Sequence, residues 1–386
     1  MAEREDFLRD RQAAAPPQPG PPPQPAPPPP GGWPPPPGYP QTAGTYPPPP
    51  PAGAPPLPQG PGRPPHQAWP DLGHTPQPPR KPVPARGWRR AVHAITFGLV
   101  NPGPSRLERR YAELEGVIRA PLRGYYKVGI LGKGGVGKTS VAASVGSVFA
   151  ELRPSDRVVA IDADTAFGRL GSRIDPSVRG SYWELAADKN LQSFADLRGR
   201  VGHNASGLYV LAGEPPSTRR RVLDPAVYRE ATMRLDRHFT ITIVDCGSTM
   251  DAAVTQEALR DLDALVVVSS PWADGAGAAA QTMEWLENHG MRDLLRRTVV
   301  VLNDSDGHAD KKTKAALAQQ FTSRGQVVVE VPFDPHLRPG GVIDVRGEMA
   351  GTTRMRFLQI TATVAGHFAN SPQLARGTTE ENTGSA

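Results

Sequence analysis

The sequence predicts an α/β domain, a mostly parallel sheet flanked by helices on both faces, set behind a proline-rich leader. Three observations carry that reading. Of the 46 prolines in 386 residues, 33 fall within residues 1–84. From Tyr125 onward, short apolar runs alternate with helical patterns, the signature of β-α repetition. The first apolar run opens into Gly132-Lys-Gly-Gly-Val-Gly-Lys-Thr139, a glycine-rich phosphate-loop pattern placed between a strand and a helix.

The leader comes first. Proline fixes φ and has no backbone donor, so tracts such as Pro27–Pro30 and Pro47–Pro51 cannot enter a helix interior or a central strand. Residues 1–85 bury too little apolar surface to offset chain entropy, and disorder with polyproline-II character is expected. Such a tract serves either as a docking segment for a proline-recognising or polar-scaffold partner or as a spacer. Residues 1–123 hold 14 Lys+Arg against 8 Asp+Glu, whereas residues 124–386 hold 30 of each, so the formal charge of +6 belongs to the leader side. Cys246 is the only cysteine, which excludes an internal disulfide and a multi-cysteine metal site. The first ten residues are charged without an apolar run, and nowhere do 18 apolar residues follow one another. A cytoplasmic protein is expected, with peripheral contact at the inner membrane or a cell pole as an alternative.

Residues 86–123 are expected to form two linker helices. Trp88, Val92, Ile95 and Leu99 recur at helical spacing and draw one apolar stripe. No acidic residue lies between Asp71 and Glu108, while Arg80, Lys81, Arg86, Arg89, Arg90 and Arg106 do. Such a basic amphipathic helix can lie on an anionic membrane, dock on a partner, or fold back on its own domain. Asn101-Pro-Gly-Pro stops it. Ser105-x-x-Glu108 then forms a capping box, and Leu107, Tyr111, Leu114 and Ile118 share the apolar face of the second helix, which ends near Pro121.

The main domain is read over residues 124–370. Strands are expected at 125–131, 157–162, 208–212, 239–245, 263–269, 297–303 and 326–331, and helices at 138–151, 225–236, 275–289, 309–321 and 355–369. The near-continuous apolarity of 264–268 and 298–302 suits strands covered on both faces. Residues 371–386 are expected to be a disordered tail.

The chemistry gathers at strand ends. In the phosphate loop, Gly132, Lys133, Gly134, Gly135, Val136 and Gly137 would wrap phosphate with backbone N–H groups. Lys138 would reach the β- and γ-phosphates, and Thr139, with Ser140 beside it, would ligate Mg²⁺. Asp162 and Asp164 close the second strand, where α/β folds place ligands; Asp164 is the candidate to poise the attacking water and Asp162 the one nearer the metal. Thr240–Val244 leads to Asp245, a Walker B carboxylate for the same Mg²⁺, and Gly247 gives the next loop freedom to sense the γ-phosphate. Cys246 reads as a small strand-end residue, not a nucleophile. Asn303 ends the strand at 298–302 and offers an amide suited to adenine.

With Lys133 directly after its first glycine, the loop reads K-G-G-x-G-K-T and resembles the deviant Walker A motif of the MinD/ParA class of ATPases (the SIMIBI group of P-loop NTPases). The likeness spans roughly residues 124–369. It implies ATP and Mg²⁺ as cofactors and an ATP-sandwich homodimer in which Lys133 reaches the partner's phosphates, giving it a catalytic part beside Lys138 and Asp164. It also implies adenine reading by Asn303 and the loop Val331-Pro332-Phe-Asp334. The leader, followed by Gly87-Trp-Arg-Arg90 and Gly98–Ser105, looks like the EspI-like ATPases of actinobacterial type VII (ESX) secretion loci. Two departures stand out: Arg169 precedes Leu170 where many members carry Asn, and Asp245-Cys-Gly-Ser-Thr replaces D-x-P-x-G. The resulting expectation is a slow, nucleotide-switched ATPase that regulates type VII secretion. The alternatives are a ParA-like positioner on DNA or at a cell pole, and a non-catalytic nucleotide-binding scaffold. The neutral core makes the electrostatic case for nucleic acid thin.

Overall fold

Eight strands make one sheet in the order β3-β4-β2-β5-β1-β6-β7-β8. The structure is a computed structural model and describes residues 87–97, 99–164, 168–213 and 221–370. The proline-rich leader and the tail from residue 371 lie outside the described residues. The strands are β1 (Tyr126–Gly132), β2 (Val158–Asp162), β3 (Gly202–His203), β4 (Leu208–Leu211), β5 (Ile241–Asp245), β6 (Ala264–Ser269), β7 (Thr298–Asn303) and β8 (Val327–Val331). All neighbours run parallel except β3, which pairs antiparallel with β4 and blunts that edge with two residues. Every residue of β1, β2, β5, β6 and β7 is buried, which is why those segments read as unbroken apolar runs rather than alternating ones.

The helices are α1 (Gly87–Ile95), α2 (Arg106–Ile118), α3 (Lys138–Leu152), α4 (Leu170–Ile174), α5 (Tyr182–Ala187), α6 (Phe194–Arg198), α7 (Pro225–Asp236), α8 (Ala253–Arg260), α9 (Ala273–Asn288), α10 (Arg292–Arg296), α11 (Lys311–Thr322) and α12 (Gly351–Ala365). One face of the sheet packs against α2, α3, α4 and α12 through residues such as Ile118, Phe149, Leu170 and Phe357. The other face packs against α5 to α11 through Leu185, Leu197, Tyr228, Leu259, Leu286, Leu294 and Phe321. The expected architecture, helices on both faces of a mostly parallel sheet, is the one observed.

The differences from the expected elements have local causes. Sequence periodicity missed α4, α5, α6, α8, α10 and β3, all of eight residues or fewer and too short to establish a period. The closing helix runs from Gly351 to Ala365, not 355–369. Helix α1 stops at Ile95, because the Thr96 hydroxyl donates back to the Val92 carbonyl at 2.7 Å and Phe97 takes a positive φ of 49°. Leu99 therefore lies beyond the helix. The capping box at Ser105 forms as expected, with Glu108 N–H donating to Ser105 Oγ at 3.1 Å and Ser105 N–H to Glu108 Oε2 at 2.7 Å. Of the predicted apolar face of α2, Leu114 and Ile118 are buried and Leu107 is exposed.

Candidate functional site

The site lies at the carboxyl ends of the central strands, and the loop between β1 and α3 builds its centre. Two glycines there are required by space as well as by φ. A Cβ on Gly132 would fall 2.2 Å from the Val268 carbonyl oxygen, and one on Gly137, at φ +92°, would fall 2.5 Å from Asn303 Nδ2. Gly137 caps α3 with no side-chain acceptor, so the first N–H groups of that helix are left for a ligand. Lys138 lies at the first helical turn, its ammonium donating to the Lys133 carbonyl at 3.3 Å.

Two carboxylates meet behind this loop. Asp162 and Asp245 are register partners on adjacent parallel strands, and both are buried. Asp162 accepts the Asp164 N–H at 3.2 Å on Oδ1 and the Leu170 N–H at 3.1 Å on Oδ2. Asp245 Oδ1 is buried with no hydrogen-bond partner, and the Thr139 hydroxyl lies close enough to favour its ionised form. Burial raises the proton affinity of both groups; Asp245 raises that of Asp162 further, whereas Thr139 and Lys138 pull that of Asp245 back. Among the described residues no group of three or more His, Cys, Asp or Glu gathers to hold a metal. A divalent cation here would therefore need oxygens beyond Thr139, Asp162 and Asp245, and nucleotide phosphates would supply them. The orphaned Asp245 oxygen fits such an ion or a water bound to it. Cys246, next in the chain, is buried and its thiol is pushed up to about 12 by burial, which rules out a ready thiolate nucleophile.

A cavity of about 400 Å³ opens between this loop and the ends of β7 and β8, and Asn303, Pro332 and Asp334 line it together with Gly135, Gly137 and Ser140. Asn303 donates an amide hydrogen to the Val136 carbonyl at 2.8 Å and so ties β7 to the phosphate loop. Asp334 is committed to its own loop, with Oδ1 accepting the His336 N–H and Oδ2 the Ala350 N–H, each at 3.0 Å. Asp334 thus shapes the wall of the cavity.

Lys133 is exposed and pairs with Asp274 on α9 at 2.7 Å, which lowers the proton affinity of Asp274. Sequence reasoning passed over Asp274, although an acidic residue in the first turn of a helix after a strand end was a usable signal. It also passed over Arg173 on α4, and no spacing marks that residue. Its guanidinium donates to Ser140 Oγ at 2.7 Å, to the Leu337 carbonyl at 2.8 Å and to the Gly341 carbonyl at 3.1 Å, so it joins the phosphate-loop helix to the strap beyond β8.

Residues 130–339, more than half of the chain, match the family described as the CobQ/CobB/MinD/ParA nucleotide binding domain. The chain belongs to this family. Among curated proteins it is 33% identical over 269 residues to the ESX-1 secretion-associated protein EspI of Mycobacterium tuberculosis, a match covering 69% of this chain and 40% of that protein. It is 26% identical over 182 residues to the septum site-determining protein MinD of Thermotoga maritima, covering 47% of this chain and 64% of that one. The chain thus spans less than two thirds of the length of either relative. Among solved structures, a ParA family ATPase from Chlorobium tepidum superposes with a TM-score of 0.51 at 18% identity, over 62% of this chain and 98% of that one, which supports the fold. No helix among the described residues is long and apolar enough to cross a membrane.

Proposed function

We propose that this domain binds Mg-ATP, hydrolyses it slowly and works as a nucleotide-switched homodimer that regulates a type VII secretion machine. One observation carries the nucleotide part: a glycine loop with free helix N–H groups faces Lys138 and Thr139, backed by paired strand-end carboxylates and an orphaned Asp245 oxygen. In this reading Gly132–Gly137 and Ser140 cradle the phosphates and Lys138 neutralises their charge. Thr139 and Asp245, with Asp162 beside them, hold the cation, which when bound would offset charge on the transferring phosphoryl group. Asp164 poises the attacking water. The cavity bordered by Asn303, Pro332 and Asp334 takes the base.

The switch rests on Lys133. Paired with Asp274 within its own chain, it must exchange that partner for the phosphates of a second copy when a dimer forms. Arg169 stands where many relatives carry a bridging Asn, which favours a weaker dimer. The secretion role rests on the likeness to EspI, whose printed name ties it to ESX-1. The location that follows is the cytoplasm, at the inner membrane or a cell pole when assembled.

Calorimetry with Mg-ATP tests the site. Lys138→Ala should abolish binding, and Asp164→Ala should keep binding but lose turnover. Wild-type affinity in the Lys138 variant would overturn the assignment. A pull-down comparing the full chain with one beginning near Arg106, each with ATP or ADP, tests whether the leader recruits secretion components in one nucleotide state only.

A further inference from the structure

The most strongly amphipathic helix of the described residues leaves much of its apolar face exposed. On α1 and the turn after it, Trp88 is 67% exposed, Ile95 75%, Phe97 95%, Leu99 90% and Val100 50%. These five lie within thirteen residues, a density that a soluble surface rarely leaves uncovered. The positive φ of Phe97 and the Thr96 hydroxyl turn the chain sharply, so Phe97, Leu99 and Val100 extend the patch past the helix end. Arg89 reaches across to the carbonyls of Pro102, Gly103 and Pro104 at 3.3–3.4 Å and holds helix and turn together as one unit. Its guanidinium also lies 5.4 Å from the Trp88 ring.

Charge identifies the occupant. Along the sequence, every formal charge from Arg80 to Arg106 is positive, since no Asp or Glu lies between Asp71 and Glu108. A protein groove for an amphipathic helix selects a narrow ridge of i, i+3, i+4 and i+7 anchors. Here the apolar side chains instead spread over the helix and the turn beyond it, and Trp88 and Phe97 stand near the two ends. Exposed apolar side chains, an indole among them, on a segment whose formal charges are all positive match an anionic bilayer surface, where rings sit at headgroup level and guanidinium groups meet phosphate. We propose that α1 and the turn through Val100 are a docking face for an anionic lipid bilayer, on which the helix lies in the plane of the interface. At nine residues α1 is far too short to span the hydrocarbon.

The test is flotation of the full chain with vesicles of phosphatidylcholine alone or mixed with phosphatidylglycerol, at low and high salt. The chain should float with the anionic vesicles only, and less as salt rises. Phe97→Glu and Ile95→Glu should each cut partitioning about tenfold or more, while Phe97→Leu should retain most of it. Unchanged Mg-ATP binding and circular dichroism in these variants separate lost docking from lost fold. Failure to float with anionic vesicles at low salt overturns the proposal, as does equal flotation with phosphatidylcholine alone. Glu variants that float like the parent overturn it too. So does a purified protein partner that loses binding to these variants while vesicle binding persists, since the face would then be a protein interface.

Discussion

At the amino ends of the strands, Lys127 is 1% exposed and gives its ammonium to Asp236 at 2.7 Å and to Asp261, while its backbone N–H donates to Asp263 at 2.8 Å. At the carboxyl ends, Asp162 and Asp245 are just as buried and side by side, yet neither forms an ion pair among the described residues, and one Asp245 oxygen has no partner at all. The same sheet thus gathers acidic groups at both ends, but only the amino end ties them in direct ion pairs, while Lys138 reaches Asp245 only through its field. Burying a carboxylate is costly unless it is paired and hydrogen-bonded. The amino end is a structural fastening between β1 and the elements around Asp236 and Asp261, although Asp236 Oδ1 is itself buried without a hydrogen-bond partner. At the carboxyl end two carboxylates face each other with no ammonium bonded to either, the arrangement that the proposed cation would complete.

The sharpest way to break this contrast is to remove the internal cation. Lys127→Met should leave the half-buried carboxylates of Asp236 and Asp261 without their shared counter-ion and cost about 3 kcal/mol in chemical denaturation, the low end for a broken buried pair. Nucleotide affinity in the folded fraction should stay near that of the parent. A loss below about 1 kcal/mol would mean the amino end is solvated enough not to matter, and the contrast would fail.

A second measurement uses pH. Burial raises the Asp236 carboxyl to about 6, with Lys127 pulling it back and Asp261 and Asp263 pushing it further up. The native state therefore keeps this proton between about pH 4 and 6, where the unfolded chain has released it, so stability falls as pH rises through that window. The full contribution, on the order of 3 kcal/mol, is present below about pH 4 and lost above about 6. Asp236→Asn should flatten the slope of unfolding free energy against pH across this interval. A parent whose stability instead rises with pH from 4 to 6, with the variant following it, would sink the assignment.

Which parts of this were legible in the sequence follows from what makes each visible. The central strands and the long helices α3, α7, α9 and α11 could be read because burial on both faces leaves unbroken apolar runs and long helices repeat their pattern. The phosphate loop was legible because its glycines are forced by space, as the Cβ contacts at Gly132 and Gly137 show. Asp162 and Asp245 could each be read as strand-end carboxylates, but their pairing needs the order β2-β5-β1, which no local pattern encodes. Arg173 stayed hidden for the same reason: its acceptors Leu337 and Gly341 lie over 160 residues away in the chain. The Lys127 fastening was equally invisible, because a lysine inside an apolar strand signals nothing until Asp236 and Asp261 are folded around it. The reading of Asn303 as an adenine contact did not foresee that one of its amide hydrogens is held by Val136, a contact that exists only once β7 lies against the loop.

The smallest effect discriminates best between the two ends. Asp245→Asn removes a buried carboxyl whose ionised form is disfavoured by burial and by Asp164 beyond what Lys138 gives back, so the nucleotide-free protein should become slightly more stable, by about 1 kcal/mol. With Mg-ATP the sign should reverse. The parent gains RT ln(1 + [L]/Kd) from a ligand bound only by the native state, about 2.7 kcal/mol at a hundredfold excess over Kd. The variant, lacking the carboxylate that supports the cation, should gain little more from Mg-ATP than from ATP with a chelator. Thermal melts of both proteins in the four ligand conditions would show the two curves crossing. If Asp245→Asn is destabilised with and without nucleotide, this carboxylate is a fastening like those around Lys127, and the two ends of the sheet do not differ in kind.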